Sequence, residues 1–284
     1  MELLFSEIYY SVFSKIKNGN VDLFLCGGAS TKKKKSYRDM FNEELKKYNR
    51  ISVLYPEDLF LEILNRKKYD LLTLEKFLAD NSDFILIVCE SPGSFTELGA
   101  FVNNNATVDK VIILLQTKYK NAKSFIRQGP VQYIYSKNKE RVIYYNSDIS
   151  DAISRIKKLV LPRARISSFV SFKDLDTITG QYNFILLLLY FYNTLPIKIL
   201  NENIKSLYFE KGFSSEHFNM FYTSAIRRLF KDGLLTKLSE KNTSCYRLTD
   251  KGFLIAKRLL SYADIEKKAR LYNRIRLEII NNGG

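Results

Sequence analysis

Glu97 lies within Ser91-Pro-Gly-Ser-Phe-Thr-Glu-Leu-Gly-Ala-Phe101, where turn residues run straight into a helical pattern. Ser91-Pro92-Gly93-Ser94 is turn chemistry, and a helix from Phe95 onward places Glu97 in its first turn. Backbone N–H groups at such a helix start, with Ser94 and Thr96, are suited to bind an anion or hold a carboxylate. Two uses of Glu97 follow from this local pattern. It can act as a chemical carboxylate, or it can serve the helix alone as a favourable first-turn acid. Gly99 and Ala100 add little bulk, so another element can approach this turn closely.

Other polar residues fall in comparable places. Gly27-Gly28-Ala29-Ser30 follows an apolar run and offers exposed N–H groups to a phosphate or a sugar hydroxyl. No Gly-Lys-Ser/Thr closes this loop, which excludes a Walker motif, and the third glycine of a dinucleotide fingerprint is missing. Lys32–Lys35 comes next and reads most simply as a solvated loop. Tyr55-Pro56-Glu57-Asp58 puts two acids at another helix start. The single histidine, His217, and the three cysteines Cys26, Cys89 and Cys245 supply no zinc spacing, so no metal is expected. Cys26 and Cys89 sit in apolar runs, where a free thiol behaves as a small buried hydrophobe.

The elements that must position these residues alternate. Continuous apolar runs at 21–26, 51–55, 84–89, 110–115 and 141–145 have the pattern of strands buried on both faces. Helical stretches at 36–48, 56–65, 73–81, 95–104, 122–135 and 148–159 separate or follow them. The expected fold is α/β, a parallel five-stranded sheet with helices on both faces, over residues 1–160. Ligands bind such sheets at the carboxyl ends of the strands. The loops that matter are therefore 27–35, 56–59 and 90–94. Their candidate substrate contacts are Gly27, Gly28, Ser30, Tyr55, Glu57, Asp58, Ser91, Gly93 and Ser94. Asp83, at the head of the third strand, falls at the opposite end and reads as structural.

A linker near 161–171 leads to a second domain, 172–284. Its order is a helix at 181–192, a strand at 196–200, helices at 201–209 and 214–231, a hairpin over 234–248, and a helix capped by Thr249 or Asp250. That is the order of a mainly α winged helix-turn-helix. Residues 264–281 read as one more basic amphipathic helix. In the candidate recognition helix, His217, Asn219, Tyr222, Ser224, Arg227, Arg228 and Lys231 are polar, His217 reading as a surface or helix-start residue, and Lys237, Lys241, Asn242 and Arg247 decorate the wing. Arg and Lys suit phosphates, and Asn219 or Ser224 suits base edges. Docking to a protein is the other use of such a module.

Composition bounds the rest. With 284 residues, 46% of them hydrophobic and only 5 Pro, the chain can build two cores. The net charge is +15, with 25 basic against 19 acidic residues in 1–160 and 20 against 11 in 161–284. Such an excess favours polyanionic partners. The first ten residues lack a signal-peptide pattern, and the apolar run 184–192 is about half a bilayer span. A reducing, cytoplasmic setting with no membrane is expected.

Three stretches together resemble the nucleoside deoxyribosyltransferase-like superfamily: Phe24-Leu-Cys-Gly-Gly28, Glu75 eight residues before Asp83, and Ser91–Gly99. More closely, Phe24–Gly28, Tyr55-Pro-Glu-Asp-Leu-Phe60 and Ser91–Phe101 are similar to the effector proteins of bacterial retrons, which join such a domain to a C-terminal winged helix. The motifs lie within 24–104, and the second domain matches in architecture. The resemblance implies that Glu97 takes the place of the family's catalytic glutamate and that Glu75 assists the leaving base. Deoxyribosyltransferases often carry Asp six residues before that glutamate, where this chain has Ser91. The departure turns the expected reaction from base exchange toward hydrolysis of a nucleotide such as NAD, as substrate and not as cofactor. The implied partners are the retron reverse transcriptase and its branched RNA–DNA product, which would hold a toxic anti-phage effector inactive. A homo-oligomer or higher assembly is also within the expectation. The rival reading is a nucleotide-sensing, DNA-binding winged-helix regulator without turnover.

Overall fold

The computed structural model describes residues 2–17, 20–55, 70–162, 172–240 and 242–282. The chain forms two compact units, one of residues 19–170 and the other of residues 1–18 with 171–284. Helix α1 (Glu2–Ser11) thus belongs with the C-terminal unit, whereas the sequence pattern had grouped residues 1–160 together.

In the first unit, β1 (Val21–Cys26), β2 (Ile51–Leu54), β3 (Phe84–Val88), β4 (Val111–Gln116) and β5 (Val142–Tyr145) form an all-parallel sheet in the order β2-β1-β3-β4-β5. The described crossovers carry α2 (Tyr37–Leu45), α3 (Leu71–Asp80), α4 (Pro92–Val102) and α5 (Gln132–Lys137), and α6 (Ser150–Val160) follows β5. Every residue of β1 and β3 is buried, which explains why these strands read as apolar runs, broken only by Asp22. Side chains alternate across the sheet. Leu23, Leu25, Leu86, Val88 and Leu114 share a core with Phe41 of α2 and Ile156 of α6. Phe24 points to the other face, its ring 5.8 Å from that of Phe101 on α4. The 56–65 helix expectation lies outside the described residues. The 122–135 expectation holds only in part. Gly129-Pro130 interrupts it, giving a π-helical turn over Arg127–Val131 before α5 begins.

Chain order and strand order diverge on either side of β1. The connection leaving β1 goes outward to β2, and the next returns across it to β3. The boundary between β1 and β3 is therefore the switch point of the sheet, and its carboxyl edge is where such sheets form a ligand crevice. At the opposite edge Asp22 N–H donates to Asp83 Oδ2 at 2.8 Å, and Asp83 N–H donates to the Asp22 carbonyl at 2.9 Å. Asp83 is structural, as its position in the sequence implies.

The second unit is built around α7 (Ile178–Tyr192), buried along almost its whole length. It continues through β6 (Thr194–Pro196), α8 (Ile197–Glu210), α9 (Phe218–Lys231), the hairpin β7 (Leu235–Glu240) and β8 (Thr243–Leu248), α10 (Asp250–Ser261) and α11 (Lys268–Asn282). The antiparallel sheet runs β6-β8-β7, the wing arrangement. The strand expected over 196–200 is shorter and earlier. Pro196 cannot donate to the ladder, and the buried set Leu200, Ile204, Leu207 and Tyr208 has helical spacing. Thr249 caps α10 through the N–H of Gly252 at 3.1 Å. No described helix is long and apolar enough to cross a membrane. The N-terminal helix, to which the sequence reading gave no element, buries Leu4, Phe5, Ile8 and Tyr9 in this unit. Tyr9 lies edge-on to Phe184 of α7 at 5.8 Å, and its hydroxyl donates to Asp174 at 2.6 Å.

Candidate active site and nucleic-acid interface

Pro92 at the first helical position starts α4 three residues before the expected point. Ser91 is the N-cap: its Oγ accepts from Ser94 N–H at 3.2 Å. The Ser94 hydroxyl accepts from the N–H groups of Glu90 and Ser91 at 3.1 and 3.0 Å, and donates to the Ser91 carbonyl at 2.8 Å. This capping box has a consequence for Glu97. The carboxylate sits in the second turn, not the first, where the helix dipole has largely faded. The reading of Glu97 as a helix-start acid loses its physical basis.

What surrounds Glu97 is the sheet edge. Cys26 ends β1 and Cys89 follows β3; both are buried. Burial drives the Cys26 thiol well above its usual range, the carboxylates of Glu97 and Glu75 drive it further, and Arg38 pulls weakly the other way. The thiol also hydrogen-bonds Glu97. The Cys89 thiol is pushed up to about 12, first by burial and then by Glu97. Both sulfurs are therefore protonated at neutral pH, which removes thiolate nucleophiles from the chemistry of this site. Glu97 Oε2 is screened from solvent, and Glu75, on α3, is 9% exposed. Two carboxylates from two helices thus converge on one strand end.

The glycine loop completes the crevice wall. A Cβ on Gly28 would lie 3.3 Å from both Glu90 Cγ and Ser91 Cβ, so the loops after β1 and β3 touch here. Gly27 has φ +156°, and a Cβ on it would come within 2.8 Å of Arg38 Cβ; only glycine fits. Gly93 is exposed on the first turn of α4.

Other expected contacts turn inward. The Ser30 hydroxyl donates to Asp39 and accepts from Ser36 N–H, holding its own loop. Tyr55 is buried, with its hydroxyl donating to Asp39 Oδ1 at 3.0 Å and its ring 4.7 Å from the Arg38 guanidinium. Burial raises the Asp39 pKa, but hydrogen bonds from Ser30 and Tyr55 and the Arg38 charge outweigh it and hold the carboxyl below its usual value. The Ser94 hydroxyl is committed to the capping box. Glu57 and Asp58 lie outside the described residues.

Three participants were not singled out in the sequence. Glu90 receives the N–H groups of Tyr37 and Arg38, each at 2.9 Å, and so pins the start of α2 to the end of β3. Buried Arg38 pairs with half-buried Asp39 at 3.6 Å beside the glycine loop. A signal existed for the thiols: both sit at strand ends on the same edge as Glu97, a more informative position than the core role assigned to them.

The second unit offers a less uniform surface. Asn219, Lys231, Lys237 and Arg247 are exposed, Arg227 is half-buried, and Lys241 lies outside the described residues. Arg228 faces inward: its guanidinium is 4.7 Å from the Tyr182 ring, 3.7 Å from Asp232, and donates to Thr179 at 3.4 Å. That contradicts its expected place among phosphate contacts. Ser224 is fully buried and Tyr222 nearly so, since they fall on the face of α9 that buries Phe218, Phe221, Ala225 and Leu229. On α11, Arg274 pairs with Glu7 and Glu278, and Arg276 lies over Tyr190 at 5.0 Å.

A five-stranded parallel sheet with paired acids at its switch point, joined to a winged helix, defines the class: a two-unit protein with an α/β crevice and a nucleic-acid-type module. Residues 34–240 match the family model of the STM3845 retron effector protein. The chain is also 30% identical over 283 residues to a retron Ec86 protein of Escherichia coli that carries a provisional ribosyltransferase/DNA-binding name, covering 95% of this chain and 87% of that one. A retron Ec73 protein of the same organism, with the same provisional name, is 32% identical over 147 residues, 49% of this chain and 46% of the relative. The chain belongs to this retron effector family.

Proposed function

We propose that the first unit hydrolyses the N-glycosidic bond of a nucleotide, with NAD as the leading substrate. The observation that carries this reading is the convergence of Glu97 and Glu75 on the buried Cys26 thiol at the carboxyl end of β1. Breaking an N-glycosidic bond leaves positive charge on the sugar ring, and a fixed carboxylate stabilises it best where water is excluded. Glu97 has that setting. Cys26 donates a hydrogen bond that holds the carboxylate in one orientation. As the C–N bond breaks, the base departs with its electron pair, and water then attacks the anomeric carbon and gives up a proton. Glu75 is the group suited to hand a proton to a neutral leaving base and to take one from the water. The nicotinamide of NAD is a cation while bound and departs neutral with the electron pair, so it needs less of this help. The glycine loop lies beside the crevice, where its N–H groups suit phosphate or ribose oxygens.

The provisional ribosyltransferase names of the relatives agree with glycosyl chemistry of this kind. Ser91 in place of an acid favours water over a second base as acceptor. The basic second unit suits the branched RNA–DNA product of a retron and its reverse transcriptase, and their hold would keep a toxic anti-phage effector silent. The test uses the full chain with NAD and, separately, deoxynucleosides, alone and with the cognate retron complex. Release of nicotinamide or free base by the wild type and its loss in Glu97→Gln is the expected result. Tight nucleotide binding with no release under any of these conditions would instead establish a sensor.

A further inference from the structure

Between β4 and β5 the chain carries a feature that the active-site reading does not use. Residues 117–131 leave the carboxyl end of β4, and the turn Arg127–Val131 packs on α4. From Thr117 to Lys139 there are six cations and no carboxylate. The same stretch exposes four aromatic rings: Tyr119 at 42%, Phe125 at 86%, Tyr133 at 48% and Tyr135 at 43%. Rings so exposed add little to folding.

The arrangement is ordered. Arg127 Nε donates to the Lys120 carbonyl at 2.9 Å, and its terminal nitrogen donates to Gln132 Oε1 at 3.0 Å, tying the two arms of the segment together. The tip of the Phe125 ring is 3.6 Å from where a Cβ on Gly129 would stand, and the side chain is otherwise open to solvent. Tyr133 follows eight residues after Phe125, with the Lys137 ammonium 5.4 Å from its ring centre. At that far end Asp109 offsets charge, being 3.6 Å from Lys137 and 3.9 Å from Arg141. The unopposed part is therefore 117–133.

We propose that residues 117–133 form a binding surface for single-stranded nucleic acid. Phe125 and Tyr133 stack on bases, and Lys118, Lys120 and Lys123 take phosphates, while Arg127 holds the scaffold. Separate aromatic faces interleaved with cations match unpaired bases on a charged backbone. A duplex presents no open base faces, and an acidic peptide has no use for the rings. This surface is independent of the glycosidase reading, since it uses neither Glu97 nor Glu75.

The experiment is fluorescence anisotropy of the full chain with a labelled oligothymidine and with a duplex of equal length, over rising salt. Wild type should prefer the single strand. Phe125→Ala should weaken single-strand binding roughly ten-fold. Lys120→Glu with Lys123→Glu should weaken it further and flatten the salt dependence. A paired variant of exposed lysines outside both surfaces, Lys76→Ala with Lys158→Ala, should leave this preference in place. Thermal midpoints within a degree or two of wild type would show that these surface changes spare the fold. Single-strand affinity unchanged in both the Phe125 and the Lys120/Lys123 variants, equal affinity for duplex, or no binding at all would overturn the proposal.

Discussion

The carboxyl edge of the sheet and the face of the winged helix were both read from polar residues, yet they behave differently. At the sheet edge the polar groups converge: Glu97, Glu75, Glu90, Arg38 and the two thiols interlock within one crevice wall. On the winged helix the charges divide. Arg228 works inside the unit, whereas Lys231, Lys237 and Arg247 stand on its surface. Chemistry needs particular atoms at one point, so a short motif reports it. Attraction to a polyanion needs only a sum of charge, and composition alone cannot say which cations the fold has already engaged.

The largest expected effect tests the convergent region. Glu97→Gln should slow base release by at least about 10²- to 10³-fold with little change in thermal midpoint. A loss of activity matched by loss of fold would reduce Glu97 to a structural acid. Glu75→Gln should follow, slowing release of a neutral base by up to about 10²-fold and altering the pH–rate profile; nicotinamide release should suffer less. A variant that changes both substrates equally would remove the helper-acid role.

In the divided region, Arg228→Ala should lower stability by about 1–2 kcal/mol, read from chemical denaturation, because it strips a cation from Tyr182 and a partner from Asp232. Arg247→Ala should leave stability alone and reduce the salt slope of nucleic-acid binding by about one. If the two outcomes were exchanged, the division drawn here between internal and surface cations would fail.

The smallest effect concerns the thiols. The Cys89 pKa is raised to about 12 in the folded state, against an ordinary value of 9.0. The folded form holds its proton while the unfolded form releases it, so stability is intact below pH 9 and falls as pH climbs toward 12. The ceiling is about 1.4 kcal/mol per pH unit. Cys89→Ala should remove that part of the alkaline slope, measured as the difference between the two denaturation profiles.

Local pattern carried much of this molecule. The five strands are rich in Val, Ile, Leu and aromatic residues because the sheet is covered on both faces, and Thr249 caps a helix where expected. Nonlocal facts were not legible. Nothing in 21–26 or 84–88 states that β1 and β3 are neighbours, although that adjacency makes the crevice. Cys26 read as inert core because its neighbours in sequence are apolar; its neighbours in space are acids. Pro92 was read as a turn residue when it was already helical, which displaced Glu97 by a turn. Arg228 and Ser224 are polar, and polarity alone does not give their direction; the buried set Phe218, Phe221, Ala225 and Leu229 fixes the inner face of α9.

The placement of α1 also bears on how the protein is made. Residues 19–170 are an insertion between one helix of the second unit and all its partners. On the ribosome, Leu4, Phe5, Ile8 and Tyr9 emerge ahead of residues 19–170 and cannot meet their partners in the second unit until residues beyond 171 are translated. At about 5–20 residues per second that interval is on the order of ten seconds. The sheet can complete itself in that time, so the glycine crevice is assembled before the module joined to it exists.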